Sequence, residues 1–386
     1  MAIDIPVVIL AGGIGERIKI LTSGKPKTLL SLVGKHIVEY VLNNLVGIGI
    51  RHVYMVINNP KDFEDIAVKY GRYLEIELIQ QKKPDIEGAI ISAKDSIHRD
   101  FVLLYGDIIA PRDMYQELFS TYIENRYSVV LIPEEDVESY GTAVLDESGS
   151  IERFIEKPIH GYQSLYVVGG AYILPKEFIE YVESYGNVTE ALNTINNRYR
   201  LKPCIWSGWW IDVEYPWDLL RASLYILQQI DRSSISSNAK ISPNAVIEGP
   251  VIIEDDVEID HYAIIKGPVY IGRKTYVGSH SLVRSYVSIE GDTTIGSYTE
   301  IVWSSIQKNT TIGSRSYIGF SVIGFNSVIE PGVITLNIVP EEVKIARSFK
   351  ITRRGREYVK IGAVIGAGTR INAYRVLKPG EEVSKL

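Results

Sequence analysis

The sequence predicts an α/β domain with a mostly parallel sheet, followed by a second domain of parallel β-strands. From the N-terminus to about Gln229, short apolar runs alternate with amphipathic stretches, as is typical of parallel α/β sheets. From about Ile241 an internal repeat of six residues takes over. The polar residues 233–238 separate the two patterns and are the predicted linker. We therefore expect domains at residues 1–232 and 233–386.

Composition and charge narrow the class of protein before any motif is considered. The chain has 386 residues, 46% of them hydrophobic, which excludes disorder. The net charge of −6 argues against a general nucleic-acid binder. Its single cysteine, Cys204, cannot form an intrachain disulfide or a cysteine metal cluster. No apolar stretch approaches the roughly 18 residues of a membrane helix, and the N-terminus does not resemble a secretory signal. We expect a cytoplasmic protein without a membrane or nucleic-acid partner.

In the first domain, the apolar runs are the predicted strands and the amphipathic stretches between them are the predicted helices. Strands are predicted at residues 5–10, 52–57, 101–104, 129–132 and 165–174. Helices are predicted at residues 34–45, 62–70, 87–94 and 114–125.

The repeat of the second domain has an aliphatic residue every six positions and a small or β-branched residue two positions earlier. The aliphatic set is Ile241, Ile247, Ile253, Ile259, Ile265, Ile271, Val277, Val283, Ile289, Ile295 and Ile301. Residues i and i−2 of a strand face the same side, so each hexad turns two side chains inward before a corner. The frame then slips, and residues 331–358 are predicted to be an inserted loop or arm. These hexads resemble the left-handed parallel β-helix family, which implies a homo-oligomer, a trimer.

A glycine-rich loop directly after the first predicted strand carries the chemistry of the first domain. It reads LAGGIGER from Leu10 to Arg17, and PKTLL follows from Pro26. Glycines after a buried strand let backbone N–H groups approach phosphate oxygens. Together the two motifs resemble the signature of the sugar-1-phosphate nucleotidylyltransferases. Further landmarks follow in that family's order, namely YGD at 105–107, YG at 140–141, EKP at 156–158, VGG at 168–170 and WID at 210–212.

The resemblance implies nucleotidyl transfer from UTP or dTTP to a sugar-1-phosphate, with release of pyrophosphate. The attacking phosphate oxygen is already ionised, so the reaction needs positioning and charge neutralisation rather than a general base. The residues implied for catalysis are Arg17 and Lys27. Those implied for nucleotide binding are Leu10, Ala11, Gly12, Gly13, Gln81, Gly88 and Gly106, with Gln80 as the alternative to Gln81. Those implied for sugar-phosphate binding are Gly141, Glu156, Lys157 and Gly170. The carboxylates of Asp107 and Asp212 suit Mg²⁺, a hard ion that takes carboxylate and phosphate oxygens together.

Three positions depart from the pattern of the first domain's family and bear on specificity. Residues 86–89, IEGA, stand where relatives have G-T-A or G-L-A over the base. Glu214 stands in the motif that otherwise reads D-x-G-T. Val168 replaces an asparagine that is frequent in relatives that handle N-acetylglucosamine, which favours glucose-1-phosphate as the acceptor.

The second domain resembles the acetyltransferase half of archaeal bifunctional enzymes. Arg284, Tyr317 and Asn337 match positions of the acetyl-acceptor site, but Ser314 stands at the place of the histidine base. Because no histidine follows His280, and serine cannot accept an amine proton near neutral pH, we expect no amino-sugar acetylation. Two alternatives stay open: a bifunctional nucleotidylyl and acyltransferase, and a regulatory or scaffold paralogue with weakened catalysis.

Overall fold

The computed structural model describes residues 4–124, 126–134, 137, 139–157, 166–345, 347–353 and 355–385. Two compact units are distinguished by their internal contacts. The first comprises Met1–Gly13 and Ile37–Asp212, and the second comprises Ile14–His36 and Val213–Leu386. The domain boundary at residue 232 stays a prediction.

The segments before residue 233 alternate between strands and helices, as the apolar periodicity predicts. The strands are β1 (Val7–Leu10), β2 (Ser31–Leu32), β3 (Lys35–His36), β4 (His52–Ile57), β5 (Glu75–Gln80), β6 (Phe101–Tyr105), β7 (Ile108–Ile109), β8 (Ser128–Pro133), β9 (Gly141–Leu145), β10 (Ile151–Glu156), β11 (Tyr166–Leu174), β12 (Lys202–Ile205) and β13 (Ile211–Asp212). The helices are α1 (Lys19–Thr22), α2 (Ile37–Ile48), α3 (Glu64–Tyr70), α4 (Ile86–Ser92), α5 (Arg112–Ile123), α6 (Glu177–Tyr185), α7 (Val188–Tyr199) and α8 (Pro216–Gln228), with 3₁₀ turns at Lys27–Leu29 and Pro60–Asp62.

The first unit is built on one mixed sheet with the strand order β10-β9-β11-β6-β1-β4-β5, and β8 joins β11 to β12. Strands β6, β1, β4 and β5 are parallel, and β11 runs antiparallel to β6 and β8. The predicted α/β class is therefore confirmed, with the parallel part at its centre. Parallel strands end at the same edge of a sheet, so the residues that follow β1, β4 and β6 are gathered there.

One predicted helix is wrong at its start. Residues 34–36 belong to a turn and to β3, and α2 begins only at Ile37. Gly34 has φ +76°, a backbone conformation that favours glycine, and lies in the turn of the short β2–β3 hairpin. Asn125, Leu165 and Pro158, which the sequence places at the end of a helix, the start of a strand and the EKP motif, lie outside the described residues.

The hexads of the second unit form short strands that are separated by corners. These strands are β14 (Ser234–Ile235), β15 (Lys240–Ile241), β16 (Val246–Glu248), β17 (Val251–Ile253), β18 (Glu258–Ile259), β19 (Ile264–Lys266), β20 (Val269–Ile271), β21 (Tyr276–Val277), β22 (Leu282–Arg284), β23 (Val287–Ile289), β24 (Thr294–Ile295), β25 (Glu300–Val302), β26 (Ser305–Ile306), β27 (Thr311–Ile312), β28 (Tyr317–Gly319), β29 (Val322–Ile323), β30 (Val328–Ile329) and β31 (Ile334–Thr335). After them come β32 (Phe349–Arg353), β33 (Arg356–Lys360), β34 (Val364–Ile365), β35 (Arg370–Ile371), β36 (Val376–Leu377) and β37 (Glu382–Val383).

Every third strand pairs in parallel, which gives three sheets around one aliphatic core. Ile253 pairs with Ile271, and Ile271 with Ile289, so one coil takes 18 residues. Where the frame slips, Ile289 pairs with Ile306 at a spacing of 17, and both side chains remain fully buried. The architecture agrees with the β-helix that the repeat predicts.

The interruption of the coils is shorter at its start than predicted and contains regular structure. Ile334 still pairs with Tyr317 and Val376 as part of a coil. The chain then leaves the β-helix and forms the antiparallel hairpin of β32 and β33 before the coils resume at β34. We call residues 336–360 the arm.

The β2–β3 hairpin packs on the coils through a buried acid. Glu290 is 3% exposed, accepts a hydrogen bond from Gly34 N at 3.2 Å, and accepts another from Ser288 Oγ at 2.7 Å. Ser288 Oγ in turn accepts from Val33 N at 3.0 Å. Burial raises the pKa of Glu290 to about 7, and the charge of Glu254 adds to the shift.

This raised pKa predicts a stability that depends on pH. The folded protein binds the Glu290 proton more tightly than the unfolded chain does, so the free energy of unfolding should fall as the pH rises from 4.5 to about 7. Glu290→Gln should remove this loss, on the order of 1–3 kcal/mol, while it keeps a hydrogen-bonding amide. Urea unfolding of both proteins at pH 4.5 and pH 8 measures the difference. An identical pH dependence in the two proteins would contradict a titrating Glu290.

Candidate active site

The glycine-rich loop begins where β1 ends, and Gly106 closes against it. Gly106 N donates a hydrogen bond to Leu10 O at 2.9 Å. A Cβ on Gly106 would lie 2.9 Å from Leu10 O and 3.2 Å from Ala11 Cβ. Glycine is therefore required by this close approach, and three of the predicted nucleotide-binding residues lie in contact.

Gly12 and Gln81, which the sequence separates by almost 70 positions, also meet at this loop. A Cβ on Gly12 would lie 2.5 Å from Gln81 Oε1 and 3.0 Å from Asn58 N. Gln81 Nε2 donates to the backbone carbonyls of Lys83 and, at 2.9 Å, of Asp85. By contrast, a Cβ on the exposed Gly13 would meet no protein atom within 4 Å.

Gly88 joins the first turn of α4 to the segment that precedes the helix. Asp85 caps the helix by accepting from Gly88 N at 2.5 Å. A Cβ on Gly88 would lie 2.5 Å from Lys83 Cβ, so this position needs glycine. Because Gln81 hydrogen-bonds to Lys83 and Asp85 as well, Gln81 and the first turn of α4 at Gly88 are joined through the same segment, Lys83 to Asp85.

The two predicted metal ligands are brought together by the pairing of β7 with β13. Asp212 is the register partner of Ile108, the residue directly after Asp107, and both carboxylates are half-buried. Within the described ranges, no group of three or more His, Cys, Asp or Glu side chains could hold a metal. Two carboxylates suit a Mg²⁺ ion that takes its remaining oxygens from substrate phosphates and water.

A cavity of about 290 Å³ lies beside this pair, with Asp212 in its wall. Gly141, Glu156 and Gly170, three of the four residues predicted to bind the sugar phosphate, also line it. Gly141 pairs with Glu156 across β9 and β10, and a Cβ on Gly141 would lie 3.4 Å from Glu156 Oε2. Gly170 has φ +71° and leaves space for the Tyr105 ring, 3.0 Å from where its Cβ would lie.

The fourth predicted residue, Lys157, is not among the residues that line this cavity in the described part of the chain. Its side chain is 63% exposed, with Nζ 3.9 Å from Glu156 Oε1. The charge of Lys157 is therefore near the edge of the cavity at Glu156, and its role stays a prediction.

Arg17 and Lys27 belong to the second unit. Lys27 begins the 3₁₀ turn at Lys27–Leu29 and is only 9% exposed. Its Cδ lies 2.9 Å from where a Cβ on Gly15 would be, and Gly15 has φ +73°. Arg17 donates a hydrogen bond to Glu214, and its guanidinium lies 5.2 Å from the centre of the Tyr215 ring.

Comparison with known proteins identifies the family of the chain. Residues 6–229, more than half of the chain, match the nucleotidyl transferase family. The chain belongs to this family. The resemblance that the LAGGIGER and PKTLL motifs predict is confirmed, and the protein is a transferase. Residues 265–356 also match the description "GMPPB C-terminal domain".

Several curated relatives extend over nearly the whole nucleotidyltransferase. A "Bifunctional protein GlmU" of Methanococcus maripaludis is 34% identical, over 97% of this chain and 91% of its own length. The protein of the same name from Methanocaldococcus jannaschii is 28% identical over the same shares. A "Bifunctional sugar-1-phosphate nucleotidylyltransferase/acetyltransferase" of Sulfurisphaera tokodaii is 28% identical over 98% of this chain and 96% of its own.

Solved structures share the fold of the first part of the chain. A UDP-glucose pyrophosphorylase from Acinetobacter baumannii aligns with a TM-score of 0.51 at 19% identity, over 59% of this chain and 95% of that chain. A structure described as a putative glucose-1-phosphate thymidylyltransferase from Bacillus anthracis aligns with a TM-score of 0.52 at 23% identity, over 60% and 98%. Among the described helices of the nucleotidyltransferase, none has both the length and the apolar character needed to cross a membrane.

Some residues that line the 290 Å³ cavity were not predicted from the sequence. Thr189, at the start of α7, lines the cavity and donates to Glu156 Oε2 at 3.2 Å. Asn187, the cap of the same helix, lines the cavity too. Neither stands in a recognisable motif, so no sequence signal marks them. Tyr140 and Trp210 do stand in quoted motifs, and their rings meet edge to face with centroids 5.8 Å apart in the cavity wall.

Two further tyrosines of the cavity stay neutral donors. Burial raises the pKa of Tyr105 well above its usual value, with Tyr172 and the charge of Asp107 as further causes. Burial likewise raises the pKa of Tyr172, whose hydroxyl donates to Tyr105 Oη at 3.4 Å. The wall of the cavity thus combines hydroxyl groups, carboxylates and aromatic faces, a surface suited to a polyhydroxy ligand.

Proposed function

We propose that this nucleotidyltransferase transfers the nucleotidyl group of UTP or dTTP to glucose-1-phosphate, giving a nucleoside diphosphate sugar and pyrophosphate. One observation carries the proposal: Asp212, Glu156, Gly141 and Gly170, which motifs far apart in the sequence supply, line one cavity. The names of the relatives, which include sugar-1-phosphate nucleotidylyltransferase activity, support the same reaction.

In the proposed mechanism the chain binds and orients two anionic substrates. Asp107 and Asp212 would hold Mg²⁺, which when bound supplies positive charge to the triphosphate. Arg17 and Lys27 are assigned the neutralisation of triphosphate charge and of the departing pyrophosphate. The sugar phosphate oxygen then attacks the α-phosphorus without a general base, because it is already ionised.

Substrate selection is assigned to the cavity that Glu156 lines and to the segment that carries Gln81. Glu156, oriented by Thr189, accepts hydrogen bonds from sugar hydroxyls. The side chain of Gln81 reads the pyrimidine edge, an assignment supported by its approach to Gly12. Val168, which lines the cavity, supplies no amide for an N-acetyl group and so favours glucose.

The test is a panel of each nucleoside triphosphate with Mg²⁺ and several sugar-1-phosphates, with pyrophosphate release as the readout. Turnover is expected with UTP or dTTP and glucose-1-phosphate, and weaker turnover with N-acetylglucosamine-1-phosphate. If the folded protein releases no pyrophosphate with any pair of nucleoside triphosphate and sugar-1-phosphate, the proposal is wrong and the regulatory paralogue is favoured.

We also propose that the protein is a homotrimer, for which the flat parallel sheets of the β-helix supply faces. Light scattering should then give about three times the chain mass of 43.3 kDa.

The acyltransferase alternative concerns a second cavity of about 330 Å³, which Arg284 and Tyr317 line in the second unit. Asn337 Nδ2 donates to Tyr317 Oη at 2.9 Å, so the three residues that match the acceptor site lie close together. The general base of the acetyl transfer is missing at this site, because Ser314 stands at the place of the histidine. His280, the last histidine of the chain, is stacked between Tyr262 and Tyr298, with ring centroids 5.0 and 4.9 Å apart.

We therefore expect no acetylation of glucosamine-1-phosphate. The protein, incubated with acetyl-CoA and glucosamine-1-phosphate, should release free thiol no faster than a blank without protein, because Ser314 cannot take the amine proton near neutral pH as a histidine would. The same preparation must be active in the pyrophosphate assay. Thiol release that depends on both substrates would overturn this prediction and support the bifunctional alternative.

A further inference from the structure

A charged cluster surrounds the Tyr215 ring, entirely within the second unit. It consists of Arg17, Glu214, Asp218 and Arg347 around Tyr215, and we call it the Tyr215 cluster. Arg347, from the arm, lies with its guanidinium 3.9 Å from the centre of the ring, and Arg17 lies 5.2 Å from the same centre. Two guanidinium groups and two carboxylates thus meet at one aromatic ring.

The two carboxylates of the cluster are held differently. Asp218 is 3% exposed and accepts from Arg347 Nη1 at 2.8 Å. It also accepts from the backbone N–H groups of Glu214 and Tyr215, at 3.0 and 2.7 Å, at the start of α8. Asp218 is therefore fully satisfied, and Arg347 supplies the opposite charge that a buried carboxylate requires.

Glu214 has two oxygens in unlike surroundings. Its Oε1 accepts from Arg17. Its Oε2 is buried and accepts no hydrogen bond from the described residues. The cation facing Oε2 is Arg347, with Nη2 at 3.9 Å, beyond hydrogen-bond distance. A small movement of Glu214 would complete this second pair.

We propose that Arg347 is a positioning residue that takes over Glu214 when Arg17 turns to a triphosphate. The inference rests on the proposed role of Arg17 in binding the triphosphate. Arg17 is paired with Glu214, so a triphosphate must compete with this carboxylate. A partly buried carboxylate left without a cation is costly. Arg347 lowers that cost because it already faces the second oxygen.

This exchange gives the arm an effect on nucleotide affinity. Glu214, at the glycine position of the motif D-x-G-T, pairs with Arg17 and so opposes its movement to a triphosphate, whereas Arg347 lowers the cost of breaking that pair. A purely structural Arg347 would instead support Asp218 and α8 whatever stands at position 214. The two roles are separated by asking whether the effect of changing Arg347 requires Glu214.

The experiment is a double-mutant cycle on the full chain, with the dissociation constants of UTP and dTTP in Mg²⁺ measured by calorimetry. Arg347→Lys keeps a cation beside Asp218 but cannot fork to both carboxylates. It should weaken nucleotide binding about 5- to 20-fold. Glu214→Gln should tighten binding, and Arg347→Lys in the Glu214→Gln background should change it little. Arg370→Lys, at the exposed ion pair with Glu330 in the coils, is the matched control and should change nothing.

Equal weakening by Arg347→Lys in both backgrounds, or no weakening in either, would overturn the inference. Thermal unfolding of each variant shows whether α8 and the coils remain intact.

Inorganic tripolyphosphate is the second probe. If it binds with the expected coupling while no sugar-1-phosphate is turned over, the exchange stands and the proposed function fails. If nucleotides bind and are turned over without coupling, the exchange alone fails. If neither probe binds, both are overturned.

Discussion

Asp107→Asn and Asp212→Asn should each lower the rate of pyrophosphate release about 100-fold or more. Both side chains are half-buried and joined through the β7–β13 register, so both contribute charge at one place. Asparagine keeps the shape of aspartate but loses the charge that attracts a divalent cation. The loss should appear mainly in kcat at saturating nucleotide, and excess Mg²⁺ should recover part of it.

The matched control is Asp113→Asn, an exposed aspartate in the first turn of α5. It changes the net charge by the same amount and should leave kcat within about twofold, as exposed charges contribute little. A fully active Asp212→Asn protein would refute the two-carboxylate site, whatever the behaviour of Asp107→Asn.

Gly12→Ala should weaken nucleotide binding about tenfold or more, because the new methyl group has no space. Its Cβ would lie 2.5 Å from Gln81 Oε1 and 3.0 Å from Asn58 N. The Gln81 side chain can rotate away, but Asn58 N belongs to the backbone after β4, so the loop itself must shift. Both the backbone that is proposed to bind phosphate and the amide that is proposed to read the base would be displaced.

Gly13→Ala is the control for the fold of the loop, since a Cβ there meets no protein atom within 4 Å. The melting temperature should fall in Gly12→Ala and stay unchanged in Gly13→Ala. Calorimetry with dTTP measures the affinity of each protein. Wild-type affinity in Gly12→Ala would show that the loop does not bind nucleotide through this approach.

The sequence predicts the parts of the molecule that contain a sequence repeat or a recognisable motif. The hexads predict coils because each one buries its own aliphatic residue against its neighbours, as Ile271 and Ile289 do. The motifs around Asp107 and Asp212 mark both residues as candidates for one site, but the pairing of β7 with β13 that sets Asp212 opposite Ile108 is a long-range contact that neither motif encodes. Helix α2 was placed too early because the short β2–β3 hairpin depends on packing against Ser288 and Glu290, which no local pattern encodes.

The side-chain contacts that the sequence did not predict depend on long-range packing. Thr189 reaches Glu156 only because α7 packs beside β10. Arg347 reaches Glu214 from a segment that reads as irregular and lies more than 130 residues further along the chain. Neither position carries a local signal, since a lone Thr or Arg is common on any surface.

The most direct test of the proposed reaction follows the α-phosphorus itself. Wild-type protein is incubated with Mg²⁺, glucose-1-phosphate and UTP or dTTP labelled at the α-phosphorus, and the products are separated. We expect the label in a nucleoside diphosphate sugar, with one pyrophosphate released for each sugar formed. Label that stays in the triphosphate, or appears only in a nucleoside monophosphate, would contradict nucleotidyl transfer to the sugar phosphate.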